Sequence, residues 1–145
     1  MAEIELLTMA NHAEAINGLL YLSGAGWDQV RRTYVRGSEP APNHFGIGVS
    51  VLVPWGETNR RHQLSLWIES EDGGEPLMRG DGLLEVGRPA GAVEGADTRA
   101  VLAVDASVQF PSQGGYRLVA VVDGHQRTYG FRVVDQEIVQ LPQAG

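Results

Sequence analysis

The residues best suited to chemistry are histidines and serines, because an imidazole can take a proton from a serine hydroxyl and so activate it. Both types are spread along the chain: His12, His44, His62, His125, Ser23, Ser50, Ser65 and Ser107. No Gly-x-Ser-x-Gly sequence is present, and the members of a triad need only be close in space. A hydrolase with an unrecognised site is therefore one hypothesis, but the pattern selects no catalytic residue.

A group of carboxylates suggests a second kind of chemistry, the binding of calcium by hard oxygen ligands. Glu69, Glu71, Asp72 and Glu75 surround two glycines, and Asp81 follows shortly after them. Their spacing is not that of an EF-hand loop. The same composition is typical of a solvated acidic turn between two strands. Calcium binding at this segment is an alternative to that simpler interpretation.

Zinc and phosphate sites have weaker support. His44 and His62 begin two neighbouring strand-like segments, but the chain has no cysteine and no carboxylate pair beside them. The glycines of Gly24–Gly26 and Gly46–Gly48 lack the strand-to-helix context of a nucleotide cradle. We expect the first pair to form a corner and the second to let a facing sheet or a partner pack closely on its strand. The sequence predicts no metal and no cofactor.

Composition and charge exclude several classes of protein. The 145 residues suit one domain that can bury a real core. A formal net charge of −7 weighs against a nucleic-acid partner. The N-terminal residues do not resemble a signal peptide, and no segment is long enough to span a membrane. We expect a soluble, cytoplasmic protein with no nucleic-acid or membrane partner.

The segment Phe45–Val53 is the strand around which the fold is organised. Large apolar residues alternate along it with glycine, serine and leucine, a pattern that predicts a strand with one face in a core. A second alternating segment, Leu64–Ile68, follows the turn-like residues Pro54–Arg61. We expect these two strands to form a hairpin.

The remaining segments predict an all-β chain. Asn17-Gly18 and Asp123-Gly124 are expected to close two-residue hairpins, and Gly87–Asp97 to cross between sheets. Ala10–Ile16 suits either a helical turn or a continued, bulged strand. About eight strands indicate a single antiparallel β-sandwich over residues 1–135, followed by a flexible tail at 136–145.

Two regions carry a resemblance to known families. Phe110–Gly124 with Phe131–Val133 resembles the closing hairpin of immunoglobulin-like sandwiches. Met9–Asp28 resembles a family of small bacterial proteins that consist of one domain of unknown function. Leu19 departs from that family's pattern, in which lysine is common at this position. The resemblance implies an immunoglobulin-like β-sandwich and no particular activity.

Apolar residues on both faces of several strands indicate a second buried face. Tyr21, Trp67, Val119 and Val121 are out of phase with the core-facing residues of their strands. Loops such as Gly87–Asp97 would cover such residues within one molecule. Alternatively, the four residues form a protein–protein interface, in which aromatic side chains are common anchors.

Three classes of function follow from these observations. The leading prediction is a non-enzymatic binding or structural module that acts through protein–protein contacts, with itself as a homo-oligomer or with a protein partner. The second is a carbohydrate- or calcium-binding β-sandwich, in which Trp27 and Trp55 would stack on sugars. The third is the hydrolase with an unrecognised site.

Overall fold

The computed structural model describes residues 1–139, and these form nine strands and one turn of 3-10 helix. The elements are β1 (Glu3–Ile16), β2 (Leu19–Ala25), β3 (Gln29–Val35), β4 (Asn43–Val53), η1 (Trp55–Glu57), β5 (Arg61–Ser70), β6 (Met78–Glu85), β7 (Thr98–Val108), β8 (Gly114–Val122) and β9 (His125–Ile138). The all-β prediction is confirmed, with one strand more than expected. No helix in this part of the chain is long and apolar enough to cross a membrane.

The strands form two sheets. One has four strands in the order β2-β1-β4-β7, and the other has five in the order β3-β9-β8-β5-β6. All neighbours are antiparallel except β3 and β9, which are parallel. The prediction of a purely antiparallel fold was therefore wrong. Parallel neighbours cannot be joined by a tight turn, and most of the chain lies between these two strands, so no local signal marked the pair.

The predicted hairpin between β4 and β5 does not exist. Strand β4 pairs with β1 and β7, whereas β5 pairs with β6 and β8 in the other sheet. The segment that begins at Pro54 and contains η1 carries the chain from one sheet to the other. Alternation shows which face of a strand is buried but does not identify its neighbours, which is why the pattern was misleading here.

Side chains of both sheets share one hydrophobic core. The alternate residues of β4 are at most 4% exposed: Phe45, Ile47, Val49, Val51 and Val53. The opposite sheet contributes the predicted inward residues of β5 and β8, among others Leu66, Ile68 and Leu118. Each such side chain stabilises the fold by about 1.5–3 kcal/mol when it leaves water. The core-facing pattern of these strands is confirmed.

The segment Ala10–Ile16 is a continued strand, so the helical alternative is excluded. Residues Glu3–Ala10 of β1 pair with β4, and Ala10–Ile16 pair with β2. The β1–β2 hairpin lies over the outer face of β4. A methyl group added at Gly46 would be 2.6 Å from the backbone nitrogen of Ala13, and one at Gly48 would be 2.7 Å from Cδ2 of Leu22. The chain's own hairpin, not a facing sheet or a partner, makes the close approach that these glycines permit.

Both predicted two-residue turns and the crossover are confirmed. Asn17 and Gly18 have φ angles of 52° and 75°, and Asp123 and Gly124 have 48° and 78°, as a type I′ turn requires. The segment from Gly87 to Asp97 connects β6 in one sheet to β7 in the other. Residues 136–138, which were predicted to belong to a flexible tail, are part of β9 and pair there with β3. Residues 140–145 lie outside the described residues.

Candidate functional site

The buried side chain of His62 forms an ion pair with the partly exposed carboxylate of Asp123. Nδ1 of His62 lies 2.7 Å from Oδ2 of Asp123, and Nε2 lies 2.9 Å from the carbonyl oxygen of Glu57. Burial by itself would lower the pKa of His62, but the hydrogen bonds to Glu57 and Asp123, with their charges, raise it above its ordinary value. Because both ring nitrogens are engaged, this imidazole has no free nitrogen to act as a catalytic base.

A second histidine has an acidic partner at the surface. Nε2 of His12 lies 2.8 Å from Oε1 of Glu14, and this bond raises the pKa of His12. Ser23 is directly opposite His12 in the β1–β2 hairpin. Within residues 1–139, however, no hydrogen bond joins Ser23 to His12. The side chains of His12 and Glu14 are 55% and 50% exposed, so nothing there excludes water from a reaction.

The other candidate histidines and serines form no hydrogen bond with one another within residues 1–139, although His44 lies directly opposite Ser107 in the register of β4 and β7. Nδ1 of His125 accepts a hydrogen bond from the backbone nitrogen of Ile4 (3.1 Å), which gives it a structural role. His44 and His62 lie in different sheets, so the suggested zinc pair is wrong. Ser65 donates its hydroxyl hydrogen to Asp81 (2.6 Å) instead of to a histidine.

The acidic residues around β5 and β6 do not converge. Glu69 pairs with Arg117 (3.1 Å), and Asp81 accepts hydrogen bonds from Ser65 (2.6 Å) and Arg79 (3.3 Å). These two bonds lower the pKa of Asp81, the one from Ser65 most strongly. No group of three histidine, cysteine or acidic side chains in the described part of the chain is placed to hold a metal ion.

The two tryptophans proposed as sugar platforms are engaged elsewhere. Trp27 packs edge-on against Phe45 and Phe131, with ring centroids 6.2 and 5.9 Å away. The guanidinium carbon of Arg88 lies 3.8 Å from the centre of the Trp55 ring, and Nη2 of Arg88 donates to the Trp55 carbonyl (2.9 Å). Trp27 thus belongs to the edge of the core, and one face of Trp55 is covered, so their geometry does not favour sugar stacking.

The four residues predicted to form an interface do not share one surface. Trp67 and Val119 are cross-strand neighbours on the outer face of the five-stranded sheet, and Arg79 packs over the Trp67 ring at 5.6 Å. Val119 is only 1% exposed, so its side chain offers no surface to a partner. Val121 is half-buried on the same face. Tyr21 lies in the other sheet and is 52% exposed.

Tyr21 belongs to an exposed apolar surface on the β1–β2 hairpin, which we call the hairpin face. In the hairpin register, Ile16 is opposite Leu19, and Glu14 is opposite Tyr21. Ile16, Leu19 and Tyr21 are 47%, 60% and 52% exposed. The opposite face of the hairpin carries Leu20 and Leu22, which cover Gly48. One side of the hairpin is therefore used within the molecule, and the other is open.

Two of the cavities at the surface differ clearly in their lining. An apolar one of about 180 Å³ lies between β6 and β7, the edge strands of the two sheets. Its lining includes Leu66, Met78 and Leu102, together with Gly80 and Gly82, at which an added methyl group would meet no atom within 4 Å. The missing side chains of these glycines leave the space open.

The larger cavity, of about 470 Å³, is a polar cleft where the base of the β1–β2 hairpin meets the starts of β3 and β4. We define the polar cleft by its side chains Asn11, Trp27, Gln29, Arg31, His44 and Phe45. The sequence indicated other roles for His44 and Trp27, and it contained no signal that they lie beside Asn11 or Gln29. Only the fold brings these residues together.

The geometry defines an all-β domain of two sheets. Residues 5–134 match a family of unknown function, DUF6941, and the chain belongs to that family. The predicted resemblance to a small domain of unknown function is thereby confirmed. No curated protein matches the chain, and no solved structure matches it either.

Proposed function

We propose that this chain is a non-enzymatic binding module that associates with a second copy of itself through the free edge of β2. Strand β2 pairs only with β1, so one side of its backbone has no partner in the sheet. An unpaired edge of this kind is a template for another strand. The composition of β2 is the observation that carries the proposal.

Strand β2 has no charged residue, unlike the other three edge strands. Its sequence, Leu19–Ala25, reads LLYLSGA. The edge strand β3 contains two arginines, β6 contains Arg79, Asp81 and Glu85, and β7 contains Arg99 and Asp105. Charged side chains on an edge are a common protection against strand addition. Within residues 1–139, β2 is thus the edge least protected against pairing.

A second copy is the occupant that fits this edge best. An antiparallel pair of β2 strands about a two-fold axis satisfies both free edges at once and leaves no further edge open at that place. Self-pairing also places no charged side chain of one β2 strand against one of the other, because β2 itself is uncharged. Leu19 and Tyr21 of the hairpin face would extend the apolar contact beside the paired backbones. The two four-stranded sheets would then become one continuous sheet.

We also interpret the two sheets as the layers of a β-sandwich with an immunoglobulin-like closing hairpin at β8 and β9. The shared core of the two sheets supports the sandwich. The tight turn at Asp123-Gly124 supports the hairpin. We place the protein's action in the cytoplasm, a location with which the absence of cysteine is compatible.

The proposal is tested by measuring molar mass with light scattering and sedimentation from about 1 µM to about 1 mM protein, because a dimer of ordinary affinity dissociates within that range. We expect a monomer–dimer equilibrium. Each copy has a net charge of −7, so raising the salt from about 0.1 M to about 1 M should strengthen association by screening this repulsion.

Charge substitutions on β2 identify the surface. The double variants Y21K/S23K and Y21E/S23E should each be monomeric, because like charges would oppose one another across the two-fold axis. An equimolar mixture of the two should recover the dimer. Leu83→Lys on β6, which is 65% exposed in the native chain, is the control and should leave association unchanged. A wild-type chain that stays monomeric, or double variants that dimerise normally, would refute the proposal.

A further inference from the structure

We infer that the polar cleft is a binding site for a small organic carboxylate, a role separate from self-association through β2. Its volume of about 470 Å³ is within the range of about 300–1,000 Å³ that is common for ligand sites. Such sites combine an apolar lining with a few convergent polar groups. The polar cleft has both.

The polar groups of the cleft are not used within the molecule. The backbone carbonyl of Arg31 accepts a hydrogen bond from Nδ2 of Asn43 (2.9 Å). The guanidinium of Arg31, in contrast, has no ion-pair partner among residues 1–139, and neither has the imidazole of His44. The side-chain amides of Asn11 and Gln29 also line the space and can donate further hydrogen bonds. These groups are available to a ligand.

The charge of the cleft selects a monoanion. The chain has 18 acidic and 11 basic residues, yet the cleft is lined by Arg31 and by no carboxylate. Arg31 and Gln29 also line a neighbouring cavity that includes Asp135, but the carboxylate of Asp135 is held by Arg32 through bonds of 2.7 and 3.0 Å. One permanent positive charge matches one negative charge, and the guanidinium fork matches the two oxygens of a carboxylate. A phosphate dianion would have one charge without a partner.

The apolar part of the lining gives the ligand a hydrophobic body. Trp27, Val30 and Phe45 contribute to the cleft, and the Trp27 ring is held edge-on by Phe45 at 6.2 Å. On the opposite side of the cleft, Gly24 has a φ angle of +64°, and a side chain added there would overlap the amide of Asn11. The glycine therefore keeps the Asn11 side chain in its place beside the cleft.

Benzoate is the probe that tests this inference, with benzyl alcohol and inorganic phosphate as comparisons. In a titration followed by nuclear magnetic resonance and calorimetry, benzoate should shift the amide signals of the cleft residues. It should bind roughly tenfold more tightly than benzyl alcohol, which lacks the charge for Arg31. Arg31→Gln should lower the affinity for benzoate roughly tenfold, and Arg31→Lys should lower it less.

Arg61→Gln is the matched control, because this substitution also removes one positive charge, at an exposed arginine near Glu85. The Arg61→Gln variant should bind benzoate with the affinity of the wild type. The inference is wrong if wild-type protein does not bind benzoate, if the alcohol binds equally well, or if the two glutamine variants have the same affinity. The thermal midpoint of each variant shows whether it is folded. If Arg31→Gln is unfolded, the affinity of Arg31→Lys for benzoate is the test of the inference. Binding should persist in the monomeric Y21K/S23K background, which separates this site from the proposed self-association.

Discussion

Nδ1 of His62 lies 2.7 Å from a carboxylate oxygen of Asp123, although the two residues are 61 positions apart in the chain. The same oxygen accepts a hydrogen bond from the backbone nitrogen of Ala2 (3.1 Å), while the other nitrogen of His62 donates to Glu57 (2.9 Å). One ion pair thus connects the start of the chain, the 3-10 turn and the turn between β8 and β9. Its role is to stabilise the fold.

The His62–Asp123 pair predicts a pH dependence of stability. The pKa of His62 is raised in the folded chain above the ordinary value of 6.5. Its contribution to the free energy of unfolding is therefore complete below that ordinary value and is lost as the pH rises through the folded pKa. Urea unfolding at a series of pH values should show this loss in the wild type and in His44→Gln, whose ring is exposed. The loss should be smaller in His62→Gln, in which only the exposed His12 keeps a raised pKa. Equal pH profiles for the wild type and His62→Gln would contradict the assignment.

The parallel pair of β3 and β9 should depend on Arg32. Its guanidinium donates two hydrogen bonds to Asp135 (2.7 and 3.0 Å) and one to the carbonyl of Phe110 (3.0 Å). Arg32→Gln leaves Asp135 without its charge partner and should reduce the free energy of unfolding by about 3 kcal/mol. Faster amide hydrogen exchange should appear in β3, which is held by β9 alone.

The control for Arg32 is Arg36→Gln. Arg36 pairs with Glu137 at 2.8 Å, but its side chain is 73% exposed, so the change should cost less than about 1 kcal/mol. Similar losses of stability in the two variants would show that burial of the Arg32 pair is unimportant.

The position of the hairpin over β4 should depend on Gly46 and Gly48. A methyl group at Gly46 would meet the backbone of Ala13 at 2.6 Å, whereas one at Gly48 would meet the end of the Leu22 side chain at 2.7 Å. A side chain can rotate away, but a backbone cannot. Gly46→Ala should therefore destabilise by about 2–3 kcal/mol and Gly48→Ala by about 1 kcal/mol, as measured by denaturant unfolding. Gly130→Ala, with nothing within 4 Å, is the control and should be neutral or slightly stabilising.

Filling the apolar cavity between β6 and β7 should stabilise the protein. Gly82 is opposite Leu64 in the register of β5 and β6, and an added methyl group there would meet no atom within 4 Å. Gly82→Ala should raise the free energy of unfolding by about 0.5–1 kcal/mol, because alanine restricts the unfolded chain and buries apolar surface. In denaturant unfolding, we expect Gly82→Ala to have a higher midpoint than the wild type. A lower midpoint would mean that the strand requires glycine at this place.

Much of the secondary structure was predictable because its causes are local. The alternation from Phe45 to Val53 correctly marked a core strand whose apolar side chains are at most 4% exposed. Asn17-Gly18 and Asp123-Gly124 adopt the positive φ angles that their residue types favour. The candidate sites were less predictable. Nothing near Asp123 in the sequence distinguishes a turn residue from the partner of a buried histidine.

What the sequence determined by itself is therefore the class of the fold, most strand positions and the core-facing side of the central strand. Only the tertiary structure decided that β4 and β5 belong to different sheets, that β3 lies parallel to β9, and that the β1–β2 hairpin covers Gly46 and Gly48. The physical reason is that turn geometry and alternation depend on neighbouring residues. Strand pairing, ion pairs and clefts depend instead on which of many similar apolar surfaces pack together in one core.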